Sequence, residues 1–265
     1  MKIVRFLTTS NRPMLGVWEE EEGIRVIAGD LFGIWAVSNT RVRLEEVTRI
    51  LHPVDPPNIF AIGLNYRAHA AEGGGEAPDH PLIFLKATSS ISGRDRPIIL
   101  PKSAPNEVDF EAELALIIGR TAFEVPEERA LEYVLGYTAA NDVSARDCQM
   151  RLDRQWARGK SFDSFCPLGP FIQTEMDPDQ VSVTSRLNGQ NMQESNTSDL
   201  IFSCRHLVSY LSHQFTLLPG TLILTGTPSG VGVHRDPPVF LKDGDVIEVE
   251  VEGVGTLSNP VYSVD

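Results

Sequence analysis

Cysteine is scarce, with three in 265 residues. Cys148, Cys166 and Cys204 are widely separated and form no CxxC pair, which excludes a disulfide framework and a cysteine metal site and suits a reducing compartment. Long apolar runs are also lacking: Leu114 to Ile118 and Leu222 to Leu224 fall far short of the roughly eighteen residues a spanning helix needs. The opening MKIVRFLTTSNRP shows neither a long apolar stretch nor a small-residue cleavage site, so a cytoplasmic protein is expected and the Asn196-Thr197-Ser198 sequon is incidental. Positive charge is in deficit. Lys and Arg number 23 against 36 Asp and Glu, a formal net charge of −13, and no basic run interrupts that acidity. Nucleic acid and membrane surfaces are therefore not expected as partners.

What is present is an ordinary globular composition, 42% hydrophobic and 22% charged, without internal repeats and long enough for a sizeable core. The 21 glycines and 18 prolines are spread throughout and punctuate short apolar runs, as in a mainly β chain with few short helices. Residues 1 to about 50 read as strands around an acidic turn at Glu19 to Gly23, then a short helix near Arg43 to Leu51. Pro53, Pro56 and Pro57 break regular structure, and a boundary is placed there between a small N-terminal β-rich domain, 1–55, and a larger domain, 56–265. Beyond it a strand is expected at Ile59 to Gly63. Asn65 to Asp79, polar and containing Gly73-Gly74-Gly75, reads as a mobile loop. Further strands are expected at Glu111 to Ile118, Leu135 to Asn141 and Val246 to Val251, the last with one wet face because Val249 and Val251 alternate with Glu248, Glu250 and Glu252. Pro126 before Glu127 and Glu128 marks a helix start, Ser144 caps a helix through Arg151, and Asn188-Gly189 marks a hairpin.

Asp109-Phe110-Glu111-Ala112-Glu113-Leu114 is the most informative hexapeptide. Period-two alternation puts three carboxylates on one face and Phe110, Ala112 and Leu114 on the other. Neighbouring carboxylates about 6–7 Å apart repel by roughly 2–3 kcal/mol at an effective dielectric of about 20, a cost that a divalent cation reverses. Glu111 and Glu113 are candidate ligands, with a solvated strand face as the alternative. Oxygen-only ligation points to Mg²⁺, with Mn²⁺ or Ca²⁺ next, rather than Zn²⁺. Asp142, where a strand gives way to a helix, is a candidate third ligand or else a plain cap. Arg146 and Gln149, three apart, offer a cation and an amide to a substrate carboxylate, or are surface groups.

Gly159-Lys160-Ser161 is not a P-loop, because Arg154 stands where that motif needs glycine. Lys160 is either a partly buried site cation or a surface lysine. His69 and Glu72, spaced i, i+3, take the form of a general-base dyad in which the carboxylate raises the imidazole's basicity, though two solvated loop residues would read the same. The other histidines have no such neighbour. Thr225-Gly226-Thr227-Pro228-Ser229-Gly230 is a strand-to-loop turn with exposed amides, either a carboxylate contact or a plain glycine-rich turn. The serine-nucleophile elbow GxSxG is absent from the sequence.

Taken in order, GLNYRAHAAE, PLIFLK, VDFEAELALIIG, YTAANDVSARDCQ, RGKSFDSFCPLGP and LTGTPSGVG resemble the fumarylacetoacetate hydrolase family from about Ile59 to Val261. The first fifty or so residues look like the variable N-terminal segment of its bacterial-type members, among them acylpyruvate hydrolases and 2-hydroxyhepta-2,4-diene-1,7-dioate isomerases. The resemblance implies a mixed β-sandwich roll, usually a homodimer, that holds Mg²⁺ or Mn²⁺ through two glutamates and an aspartate. These fall on Glu111, Glu113 and Asp142. The family's lysine falls on Lys160, its helix Arg and Gln on Arg146 and Gln149, its lid His and Glu on His69 and Glu72, and its substrate-carboxylate contact on Thr227.

A mechanism follows from these residue types. The metal steadies the enolate released when a carbon–carbon bond of a 2,4-dioxo carboxylate breaks, His69 held by Glu72 deprotonates water, and Lys160 offsets developing negative charge. Hydrolysis of an acylpyruvate-like substrate is the first expectation. Isomerisation, tautomerisation or decarboxylation of related 2-oxo acids, oxaloacetate included, uses the same enolate chemistry and is the alternative.

Overall fold

The computed structural model describes residues 1–74 and 76–263. Gly75, the last glycine of the triplet, lies outside the described residues. Five strands come first: β1 (Lys2–Thr8), β2 (Met14–Glu19), β3 (Gly23–Gly29), β4 (Trp35–Val42) and β5 (Val47–Ile50). After the prolines come β6 (Ile59–Gly63), α1 (Arg67–Glu72), β7 (Leu82–Leu85), β8 (Ile91–Ser92), β9 (Ile98–Leu100), β10 (Val108–Asp109), β11 (Ala112–Ile118), β12 (Val134–Asn141), β13 (Ser144–Ala145) and β14 (Cys166–Gln173). The chain closes with β15 (Ser182–Leu187), β16 (Gln190–Asn196), α2 (Cys204–Gln214), β17 (Leu222–Leu224), β18 (Val246–Val251) and β19 (Gly255–Ser263). The fold is mostly β with few short helices, as its composition suggests.

A 12-stranded sheet runs in the order β4-β3-β2-β1-β14-β12-β11-β17-β6-β7, with β5 on β1 and β8 on β14. A 5-stranded sheet, β16-β15-β18-β19-β9, packs against it. The layer between them holds Leu114, Leu116 and Ile118 of β11 with Val183, Val249, Val251 and Leu257, and α2 adds Leu207, Val208 and Leu211. The opposite face of β11 is buried too, since Ala115 and Ile117 join Ile59, Leu168, Ile172, Leu222 and Leu224. Ile3, Val17 and Ile27 from the first strands enter that same cluster.

Several sequence expectations hold. Asn188 (φ 52°) and Gly189 (φ 79°) form the turn between β15 and β16, with both central residues in the left-handed region that a two-residue hairpin demands. Val249 and Val251 of β18 are buried, alternating with half-exposed Glu248 and Glu250. A 3₁₀ segment, Glu127–Tyr133, begins directly after Pro126.

Four expectations are corrected. Residues 43–51 carry one 3₁₀ turn, Leu44–Glu46, and then β5. The β-branched Val47, Thr48 and Ile50 favour a strand, and pairing with β1 supplies its partner. Ser144 does not cap a helix: it sits in β13 opposite Asp109, and its hydroxyl donates to Asp142 O. The helical turn that follows is capped by the Asp147 side chain and widens into a π-type turn over Cys148–Leu152. Asn65 to Asp79 is not simply a loop, because α1 occupies Arg67–Glu72 and Asn65, Tyr66, His69 and Ala70 are buried. Asn65 is tied down by side-chain bonds to Phe202 and Thr225. Finally, the acidic hexapeptide is not one strand, since β10 pairs with β13 whereas β11 pairs with β12. Its acids are buried rather than spread on a wet strand face, and cations and amides partner them inside the protein.

Candidate active site

The ends of β11 and β12 bring Glu111, Glu113 and Asp142 together. All three are buried, and one carboxylate oxygen from each lies within 4.8 Å of the others. Adjacent antiparallel strands place Ala112 opposite Asn141, so the residues flanking that pair converge. The Asn141 side chain fixes the turn by accepting from Glu111 N.

Cations rim this cluster. Lys160 Nζ lies 2.8 Å from Glu111 Oε2 and 2.7 Å from Asp142 Oδ2. Arg146 NH1 lies 2.7 Å from Glu111 Oε1, while Nε and NH2 grip Asp109 Oδ2. Burial pushes the Glu111 carboxyl up, but Lys160 and Arg146 together hold it well below the usual carboxylate range. Lys160 gains more from Asp142 and Glu111 than it loses by burial, and so stays a firm cation.

Glu113 differs. It forms no ion pair among the described residues, and its carboxylate accepts the Gly226 amide at 2.7 Å. Burial first, then the negative charges of Asp142 and Glu111, drive its carboxyl well above the ordinary value. A buried carboxylate without a cation, beside two others, is a group that a divalent ion would satisfy. The donor set is all oxygen, which fits a hard ion such as Mg²⁺. Gly226 must be glycine for this contact: its φ is 101°, and a Cβ there would stand 2.8 Å from Asn65 Cβ.

A cavity of about 420 Å³ opens onto the cluster. Glu111, Lys160 and Arg146 line it with His69, Gln149, Thr227 and His234, and Phe84 and Trp156 contribute apolar wall. His69 Nδ1 lies 3.1 Å from Glu72 Oε2, and Glu72 Oε1 accepts the Gly230 amide. An ionised carboxylate only accepts, so this pairing puts the proton on Nδ1 and leaves Nε2 free to take another. Gln149 accepts from Arg146 NH1 at 2.8 Å. The Thr227 hydroxyl donates to Ala112 O and accepts from Gln193 Nε2. Six of the nine residues singled out in the sequence thus line one cavity, and the other three, Glu72, Glu113 and Asp142, adjoin lining residues.

Residues 58–262 match the family model described as fumarylacetoacetate (FAA) hydrolase C-terminal. The chain belongs to the fumarylacetoacetate hydrolase family. Residues 1–53 match a second model, described as Rv2993c-like, N-terminal. An oxaloacetate tautomerase of Xenopus laevis, named as mitochondrial, is 45% identical over 229 residues, which cover 84% of this chain and 72% of that protein. The crystal structure of a 5-carboxymethyl-2-hydroxymuconate delta-isomerase from Mycobacterium smegmatis is 42% identical with TM-score 0.89 and covers 100% of both chains. That of a 2-hydroxyhepta-2,4-diene-1,7-dioate isomerase from Mycobacterium marinum is 38% identical with TM-score 0.85, covering 99% of this chain and 98% of that one.

Four site residues of this family member escaped the sequence reading. Lys86 is fully buried and places Nζ on Asp142 Oδ1 and Lys160 O. Its signal was a lysine directly after the apolar run Leu82–Leu85. Asp109 turned out to be an anchor: besides Arg146, it accepts from the amides of Gly232 and Val233. Gln193 knits Ala112 N, Thr227 and Pro228 O together, and His234 reaches the cavity from a distant turn. The statement that the other histidines lack an acidic neighbour is also corrected, since His52 Nε2 lies 2.6 Å from Asp55 Oδ1 at the same i, i+3 spacing. Asp55 is exposed and shared with Arg5, so that pair belongs to the surface.

Lys86→Met is expected to lower the stability of the chelator-treated protein by about 3 kcal/mol. Breaking one arm of a buried ion pair leaves Asp142 with Lys160 alone. Urea unfolding checks this, and an unchanged midpoint would show that Lys86 does not hold Asp142 in place.

Proposed function

We propose that this protein is a divalent-metal-dependent enzyme that interconverts 2-oxo carboxylates with their enol or double-bond isomers. One observation carries the reading: His69, paired with Glu72, and Glu111, clustered with Glu113 and Asp142, line a single cavity. A divalent cation held by those three carboxylates would supply Lewis-acid stabilisation of negative charge on a substrate oxygen. His69 Nε2 takes a proton from the carbon beside the substrate carbonyl, and the electron pair moves into a carbon–carbon double bond with negative charge on the carbonyl oxygen. The imidazolium, steadied by Glu72, then returns the proton to carbon or oxygen. Lys160 and Arg146 fix Glu111 and Asp142 so that the cluster need not reorganise as charge develops.

Relatives named as a tautomerase and as isomerases support proton transfer without bond cleavage. The dyad supports a second reading, hydrolysis of an acylpyruvate-like substrate, in which Nε2 takes its proton from water. The same proposal takes Mg²⁺ as the ion, on the all-oxygen donor set, and a homodimer in the cytoplasm, consistent with three buried free cysteines. No helix among the described residues is long and apolar enough to cross a membrane.

The test is an assay with Mg²⁺ on oxaloacetate, acetylpyruvate and fumarylpyruvate that follows enol absorbance and product composition separately. Enol–keto conversion without new acid products supports the first reading, and pyruvate release from the acylpyruvates supports the second. Silence on all three, with no binding, rejects both.

A further inference from the structure

We propose that His234 is the specificity residue for a second carboxylate, so that this site prefers 2-oxo dicarboxylates to 2-oxo monocarboxylates. The inference rests on the 2-oxo acid reading above and narrows its substrate class.

The charged donors of the cavity are already committed. Lys160 is held by Glu111 and Asp142. The Arg146 guanidinium is shared among Asp109, Glu111 and Gln149. His69 is bound to Glu72 through Nδ1, and its other nitrogen is the base. His234, which lines the same cavity, has no hydrogen-bond or ion-pair partner among the described residues, and its recorded contact is the tilted His69 ring, 5.9 Å away between centroids. Three cavity side chains keep an uncommitted N–H, the Gln149 amide, the Trp156 indole and His234, and of these it is His234 whose ring lies against the base, His69. Imidazole donates a hydrogen bond in both its neutral and its charged form.

Its backbone is held in place although its side chain is exposed. His234 ends the 3₁₀ turn Gly232–His234, and the two preceding amides are clamped by Asp109 at 2.8 and 2.9 Å. That same carboxylate grips Arg146, so the turn and the acidic cluster share one anchor. Gly232 permits the approach, since a Cβ there would lie 2.5 Å from Asp109 Oδ1. From this turn the ring reaches toward the end of α1, where a Cβ on Gly73 would lie 3.7 Å from His234 Nε2. A ligand whose carboxylate and oxo group face the cluster would present its far end to a neighbour of the base. A methyl group there gains nothing from His234, whereas a carboxylate accepts its N–H. The acids near this end are already partnered: Asp153 with Arg158, and Glu72 with His69 and Gly230.

The experiment compares two probes on the Mg²⁺-loaded protein by calorimetry: oxaloacetate, and 2-oxobutyrate, which carries a methyl group where oxaloacetate has its second carboxylate. The native protein is expected to bind oxaloacetate the more tightly, by roughly tenfold or more, the scale of one charge-assisted hydrogen bond. In His234→Ala the ratio of the two dissociation constants should collapse toward one, and in His234→Gln, which keeps an N–H donor, much of it should return. An unchanged ratio in His234→Ala overturns the inference. So does a native ratio of one, and the 2-oxo acid reading then still stands because both probes bind. If neither probe binds the native protein, the reading itself has failed, and this inference with it.

Discussion

In His69→Gln, catalysed enol–keto conversion of oxaloacetate is expected to fall by roughly two to four powers of ten, the usual contribution of a positioned general base. The structure explains why the cavity lysine does not replace it. Lys160 is locked between Glu111 and Asp142, those anions keep it protonated against the opposing effect of burial, and a held cation cannot take a proton. Oxalate, a stable mimic of a 2-oxo carboxylate, should bind His69→Gln in the presence of Mg²⁺ nearly as tightly as the native protein, because the three carboxylates are untouched. The loss thus falls on the chemical step. Glu72→Gln should lose less, since an amide oxygen can still accept from Nδ1 but offers no charge to the imidazolium. A His69→Gln rate close to that of the native protein would remove this histidine from the mechanism under either reading of the reaction.

How much of this was legible in the chain depends on distance along it. His69 and Glu72 were readable because one helical turn brings i and i+3 together, and α1 does form there. Glu111 and Glu113 were readable from period-two spacing, even though the strand starts only at Ala112. What the spacing could not show is that both faces of β11 are buried, because that depends on residues as distant in the chain as Ile3 and Leu257 closing over it. Hence a wet acidic face was an open alternative, and Asp109 counted as a third acid of that face rather than as the anchor of Arg146. Lys86 and His234 lie outside every local pattern. The first is separated by 56 residues from the aspartate it meets, and the second lies on a turn whose position is set by the Asp109 amide clamp. The helix expected near Arg43 to Leu51 failed for the same reason, since β1 supplies the partner that makes β5 a strand.

In Glu113→Gln, Mg²⁺ affinity should fall at least about a hundredfold, because losing a direct charged ligand costs more than the 10–100-fold that follows loss of a supporting partner. The metal-free protein should respond in the opposite sense. Burial, then Asp142 and Glu111, hold the Glu113 carboxyl well above the ordinary value, so the native protein keeps a proton that the unfolded chain releases. Between those two pKa values the native state binds more protons, and stability falls as pH rises. Glu111 does not mask this trend. Burial raises it, but Lys160 and Arg146 lower it by more, so its stabilising contribution is complete above the ordinary carboxylate value and is lost only as pH drops below it. A glutamine at position 113 keeps an oxygen for the Gly226 amide and carries no charge at any pH. Urea unfolding with chelator present should therefore show the native protein losing stability from pH 5 to pH 8 and Glu113→Gln losing less, so that the variant is the more stable at pH 8. Calorimetry should show Mg²⁺ binding to the native protein tightening across the same range as the Glu113 proton is released. Unchanged Mg²⁺ affinity in Glu113→Gln would overturn the assignment of this residue as a ligand. A variant no more stable than the native protein at pH 8 would show that its carboxylate is not the unpaired charge of the cluster.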